Sequence, residues 1–144
     1  MEINYFAVLV MTLFAIALGT VWYGPLFGKL WMQFMGAMDA KGNMLISKEE
    51  MKRKQQQMGP WYAIQAVLSF ATMWVLAWVV AMWPTYHGLL AAFIMWLGFV
   101  MPTIGSGLIW DEMANKERLQ RFAITATYQL ILLLISGYLF TIWK

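Results

Sequence analysis

From Leu89 to Trp110 the chain carries no charged side chain. As a helix at ~1.5 Å per residue, such a run crosses a ~30 Å hydrocarbon layer. Few folds can hold a segment of this kind, and most of them lie in a membrane. The run has two characters. It begins as plain apolar helix. It then carries Gly98, Pro102, Thr103, Gly105, Ser106 and Gly107, and ends on the adjacent carboxylates Asp111 and Glu112.

Three further apolar stretches accompany it, so the expected spans are about 3–21, 61–83, 89–110 and 122–143. Only 12% of the residues are charged. Soluble domains usually carry about 25%, so the chain lacks the charge to solvate a water-facing surface. The expectation is one all-α domain over 1–144, with four transmembrane helices and a helical cytoplasmic loop over 24–60. Trp22 and Tyr23 suit a membrane interface, and Gly24-Pro25 is expected to break the first helix. The first span lacks a basic leader and a small-residue cleavage site, and reads as retained helix.

Between the first two spans, Phe27, Leu30, Trp31, Phe34, Met35 and Met38 recur at helical spacing, as in a helix lying in the interface. Asp39 to Asn43 reads as a polar turn. Ser47 and Glu50 then fit a capping box, opening a short wet helix that Gly59-Pro60 closes. Pro84 to Gly88 reads as a tight connection between the second and third spans.

Basic residues set the topology. Lys29, Lys41, Lys48, Lys52, Arg53 and Lys54 lie between the first and second spans, and Lys116, Arg118 and Arg121 between the third and fourth. The connection between the second and third has none. The positive-inside rule therefore places both basic loops in the cytoplasm and both termini outside, in a cell membrane and most naturally a bacterial inner membrane. The same basic residues suit anionic lipid headgroups; the loops are too small and aromatic-poor for nucleic acid.

Polar side chains within the spans gather toward the basic loops. Gln65, Ser69 and Thr72 share one face of the second span. Thr103, Gly107 and Asp111 share a face of the third, with Pro102 and Ser106 on the neighbouring one. Thr125, Tyr128 and Gln129 form a stripe on the fourth. As plain structure, these groups join helices through hydrogen bonds and close packing. As function, they wall a cytoplasm-facing polar cavity for a ligand or lipid headgroup. Pro102 frees a carbonyl near Gly98, so Gly98, Pro102, Gly105 and Gly107 form either a tolerated kink or a hinge.

Most catalytic chemistry finds no residues here. The chain has no cysteine and one histidine, His87. That excludes disulfides, thiolate metal sites and cysteine nucleophiles, and no nucleophile–base pair can be assembled. Asp111 and Glu112 point roughly 100° apart on a helix and are expected to pair with Lys116 or Arg118 rather than with each other. Met32, Met35 and Met38 have thioether spacing suited to copper(I), but 13 methionines make packing the better account. No cofactor, metal or catalytic residue is assigned. Gly19-Thr-Val-Trp22 and Gly107-Leu-Ile-Trp110 echo one another, as two related hairpins would.

Gly19-x-x-Trp22-Tyr23-x-Pro25-x-x-Gly28-Lys29-x-Trp31, with Trp96-Leu97-Gly98-Phe99-Val100 and Tyr128-Gln129-Leu130, resembles the Domain of Unknown Function 1761 family. The likeness covers nearly the whole chain. It departs at Thr125, where an asparagine is expected. It implies a small, mostly bacterial, four-span integral membrane protein and brings no catalytic residues. The functional expectation is binding or transport of a small amphiphile or ion, through the polar cavity or along an oligomer axis. The alternative is a structural or interaction subunit of a membrane assembly. The partners expected are membrane lipid and further copies of the same chain, since small residues on the third span suit contacts between copies.

Overall fold

The computed structural model describes residues 2–83 and 87–143. All of its regular elements are helical: α1 (Tyr5–Val21), α2 (Gly28–Phe34), α3 (Lys48–Gln57), α4 (Gly59–Met82), α5 (Gly88–Met95), α6 (Met101–Ile109) and α7 (Asn115–Ile142). Two π turns, Trp22–Leu26 and Trp96–Val100, extend α1 and join α5 to α6. Four continuous helices result, Tyr5–Leu26, Gly59–Met82, Gly88–Ile109 and Asn115–Ile142, each long and apolar enough to cross a membrane. The expected connection at Pro84-Thr85-Tyr86 lies outside the described residues; His87 follows it as the N-cap of α5.

The helix does not break at Gly24-Pro25. It widens into a π turn with Pro25 inside, closed by the Phe27 amide donating to the Trp22 carbonyl at 3.0 Å. The second π turn precedes Pro102 and is closed by the Met101 amide on the Trp96 carbonyl. The physical cause is shared. Proline has no amide proton, and its ring crowds the carbonyl one turn back. An i→i+5 turn displaces that carbonyl without ending the helix. Of the hinge candidates Gly98 sits in the widened turn, while Pro102, Gly105 and Gly107 follow it in α6, all within one continuous helix.

α7 is the hub, packing against α1, α4, α5 and α6. Its helix begins at Asn115, well before the apolar stretch, because a hydropathy run marks the hydrocarbon-compatible part of a helix and not its capped end. The core gathers at the end away from the basic loops. Ala7, Val8, Met11 and Ala15 of α1 meet Met73, Leu76, Ala77 and Val80 of α4, Ala91 and Ala92 of α5, and Leu132, Leu133 and Phe140 of α7. Gly88 and Gly137 bring α5 and α7 into backbone contact. A Cβ on Gly88 would lie 2.0 Å from the Gly137 carbonyl oxygen, and one on Gly137 2.4 Å from that of Gly88. The Thr141 hydroxyl sits between them, donating to Gly137 O at 2.9 Å and accepting the Gly88 amide at 2.9 Å. That bond satisfies an amide of the first turn of α5, which has no partner within its own helix.

The opposite end is loose. The α4 residues from Gly59 to Ala71 are exposed, save Ala66 and Ser69 at intermediate exposure. Of α6 only Leu108 is buried. Both basic loops lie at this end, since Trp31 of the first loop packs against Arg121 at the start of the fourth apolar stretch. Within the first loop α2 ends at Phe34, and Gly36 turns the chain with φ of 68°. Met35 is therefore exposed and Met38 buried, so the methionine run leaves helical register. Ser47 and Glu50 form both halves of their capping box.

Candidate functional site

Four of the candidate residues, from the third and fourth spans, meet at the basic-loop end. Thr103, Gly107 and Asp111 of the α6 segment and Thr125 of α7 line a cleft of about 320 Å³ with Ile104, Leu108, Trp31 and Arg121. The lining residues come from α2, from α6 and the turn after it, and from α7. The cleft exists because α7 is helical from Asn115 onward, which carries Arg121 and Thr125 on the same side, one turn apart.

Its charged members are a loose pair. Arg121 Nη1 lies 3.4 Å from Asp111 Oδ2, and the two side chains are 28% and 46% exposed. Contact is through one nitrogen and one oxygen, so the second carboxylate oxygen and the other guanidinium nitrogens have no partner among the described residues. The expected partner Arg118 is engaged elsewhere. Its Nη2 donates to the Asp111 carbonyl at 2.9 Å and its Nη1 to Asn115 Oδ1 at 3.2 Å, pinning the turn after α6. A cation there also satisfies the carbonyl end of the helix. Arg118 Nε is buried with no hydrogen-bond partner among the described residues.

An aromatic column backs the cleft. The Arg121 guanidinium carbon lies 5.5 Å from the Trp31 ring centroid. Trp31 meets Tyr23 at 4.7 Å, Tyr23 meets Tyr128 at 5.4 Å, and Tyr128 meets Trp22 at 6.2 Å. Tyr128 is buried and donates its hydroxyl to the Ala15 carbonyl at 2.9 Å, tying α7 to α1.

The two π turns fasten this column to the hub. Trp22 leads the first and donates its indole N–H to Ile124 O at 3.1 Å; Trp96 leads the second and donates to Ala126 O at 2.9 Å. Each π turn thus opens on a Trp-x-Gly run, Trp22-x-Gly24 in the first and Trp96-x-Gly98 in the second. Trp110, the partner suggested by spacing, is 85% exposed.

The other candidates lie elsewhere. Gln65 is exposed and bonds its own helix neighbour, Nε2 to Ser69 Oγ at 3.3 Å; Thr72 is exposed and donates to Leu68 O. Thr103 donates to Phe99 O and lines the cleft, its hydroxyl oxygen retaining its capacity to accept. Ser106 is exposed, and Gln129 is half-buried on α7, outside the cleft lining and without a hydrogen-bonded partner among the described residues. Tyr128 lies behind the cleft wall. Of the hinge candidates, Gly107 lines the cleft and Gly105 packs on Phe122.

Sequence reasoning left out Trp31 and Arg121. A signal existed for each: Trp31 stands on the apolar face of the loop helix, and Arg121 is the last charge before the fourth apolar stretch. A second pattern is also present. Asp39, Asn43 and Glu50 fall at the first, fifth and twelfth places of a calcium-type loop, but Lys41 takes the third and Met44 the glycine place. The Asp39 carboxylate is occupied by the amides of Lys41 and Asn43 at 2.9 and 2.7 Å and by Asn43 Nδ2 at 2.9 Å. Glu50 accepts the Ser47 amide at 3.1 Å. These bonds hold the Asp39 carboxyl below the usual carboxylate range, the Asn43 side chain contributing most. Among the described residues no three His, Asp or Glu side chains are grouped as metal ligands.

No curated protein and no solved structure matches the chain. The family model of proteins of unknown function called DUF1761 matches residues 6–141, nearly the full length and including every residue of the cleft, and the chain belongs to that family.

Proposed function

We propose that the chain binds a membrane amphiphile, with the headgroup in the cleft between α2, α6 and α7 and the apolar tail along the outward face of α6. The observation that carries this is an ion pair with unused hydrogen-bonding capacity, set beside the Thr103 and Thr125 hydroxyls in a concavity walled by an apolar helix. Polar groups converging in an otherwise apolar pocket suit a ligand with both characters. With the basic loops in the cytoplasm, the cleft lies at the headgroup level of the inner leaflet, and both termini lie outside. The packed opposite half leaves little to replace the hydration of an ion, so binding is favoured over conduction through one protomer.

A photoactivatable phospholipid, crosslinked in vesicles and mapped by mass spectrometry, tests the reading. Labels are expected on α6 between Thr103 and Asp111 and near Thr125, and their loss in Thr125→Trp, which fills the cleft. Labelling spread evenly over α4 and α5, unchanged by that substitution, would remove the basis for it.

One observation favours a second reading, a structural role in a homo-oligomer. Gln65, Ser69 and Thr72 line the exposed half of α4, where a Gln amide has only a serine from its own helix. A second copy could complete those bonds. Gln65→Leu would then shift the oligomer distribution in native mass spectrometry while leaving the lipid crosslink in place.

A further inference from the structure

The charge pattern of the cleft narrows the ligand. We infer that the headgroup is a zwitterion carrying a primary ammonium and a phosphate, as in an aminoethyl phospholipid, with the ammonium on Asp111 and the phosphate on Arg121. This rests on the amphiphile-binding reading above.

Three observations carry it. First, the cleft is balanced in charge. Asp111 and Arg121 are its two charged members and lie 3.4 Å apart. A purely anionic headgroup drawn to Arg121 would meet the Asp111 carboxylate within the same few ångströms, and a purely cationic one would meet the guanidinium. A zwitterion satisfies both, and its own two charges are spaced to bridge the pair. Second, each partner keeps the groups that the ligand would use. One Asp111 oxygen is free to accept from an ammonium, and the remaining Arg121 nitrogens can take a phosphate in a forked contact. Third, Trp31, an aromatic that lines the cleft, already carries a cation of the protein itself. Trp31 carries Arg121 at 5.5 Å and Tyr23 at 4.7 Å. A quaternary ammonium is held by open aromatic faces. A primary ammonium is held by acceptors, and here those are Asp111 and the lone pairs of Thr103 and Thr125.

The experiment is native mass spectrometry of the full chain, titrated with phosphatidylethanolamine, phosphatidylcholine and phosphatidylglycerol of identical acyl chains. The cleft crosslink is run in parallel. The expected result is retention of the ethanolamine lipid about tenfold above either of the others, the scale of one charge-assisted hydrogen bond. Asp111→Asn should bring ethanolamine and choline lipids to equal retention, and Asp111→Glu should restore the difference. Arg121→Gln should weaken all three. Asp111 is half-exposed, so its variants are expected to keep the wild-type thermal midpoint. Free phosphoethanolamine, added in excess, separates two sources of the same chemistry. Displacement of the lipid at millimolar concentration would indicate a soluble ligand, and no displacement a lipid. Equal retention of all three lipids with the cleft still labelled would overturn the inference alone. Loss of cleft labelling for every lipid would overturn the reading beneath it.

Discussion

The two ends of this bundle are built on different principles. At the end away from the basic loops, small residues bring backbones together: Gly88 against Gly137, with Ala91, Ala92 and Ala77 nearby. At the basic-loop end, large aromatics make the contacts between helices. Trp22, Tyr23 and Trp31 form a chain of tilted ring contacts with Tyr128 of α7, and the indoles of Trp22 and Trp96 reach its carbonyls. In hydrocarbon, apolar burial brings no transfer gain between helices, so close packing and hydrogen bonds must hold the fold. The contrast separates two tasks. One end fixes the bundle, and the other keeps space open beside a charged pair.

The largest expected effect lies at the glycine contact. Gly88→Ala or Gly137→Ala drives a methyl into a backbone carbonyl, where no rotamer change relieves it. A loss of about 3 kcal/mol, the upper part of overpacking costs, is expected in thermal unfolding in detergent. Gly107→Ala, at the open end, has nothing within 4 Å of the added methyl and should unfold like the parent. Equal effects at the two ends would erase the distinction between them.

The aromatic anchors come next. Trp96→Phe and Tyr128→Phe each remove one hydrogen bond to a backbone carbonyl and keep most of the ring. Each should cost ~0.6–1.5 kcal/mol, less than the glycine variants and more than any change in the cleft. The Asp111–Arg121 pair should matter little for folding. It is half-exposed and singly bonded, so Arg121→Gln is expected to cost under ~1 kcal/mol while changing lipid retention.

The smallest effect is one of pH, in the loop at Asp39. Its folded pKa lies below the unfolded value near 3.8, so the carboxylate is the form that the fold favours. Its contribution is complete above that value and is lost as pH falls through the lower folded pKa. Amide resonances of Lys41 and Asn43 should hold their positions down to about pH 4 and move only below it. Asp39→Asn should remove that transition and leave the glycine contact untouched.

The spans were legible because uncharged runs long enough for a bilayer have one economical fate. Their ends were less so. Pro25 was expected to stop α1 and instead sits in a π turn, a device that hydropathy and proline rules do not register. Asn115 to Arg121 read as loop because the segment is polar, yet it is the first turns of α7. That difference decided the site. With those turns helical, Arg121 faces Asp111, and Arg118 is left to cap α6. Thr103, Asp111 and Thr125 were visible as polar positions on apolar helices, and Gly107 as a small residue on the face shared by Thr103 and Asp111. Gln65 was visible on the same ground and lies apart, since facing cannot be read when a helix leaves the bundle halfway along its length. Trp31 was hidden by its role as apolar filler, and its placement under Arg121 comes only from the fold.

The central claim is that one half of the bundle is closed and the other holds an accessible polar cleft. The chain has no cysteine, so single cysteines can be placed without background. Thr125→Cys lies in the cleft, and Ser136→Cys is buried in the packed half on the same helix. In sealed vesicles a small membrane-impermeant thiol reagent, supplied from the basic-loop side, is predicted to label the first and not the second. Excess ethanolamine lipid should slow that labelling. Equal inertness of the two cysteines would contradict the account, because Thr125 would then be packed as tightly as Ser136 and the cleft would not be open.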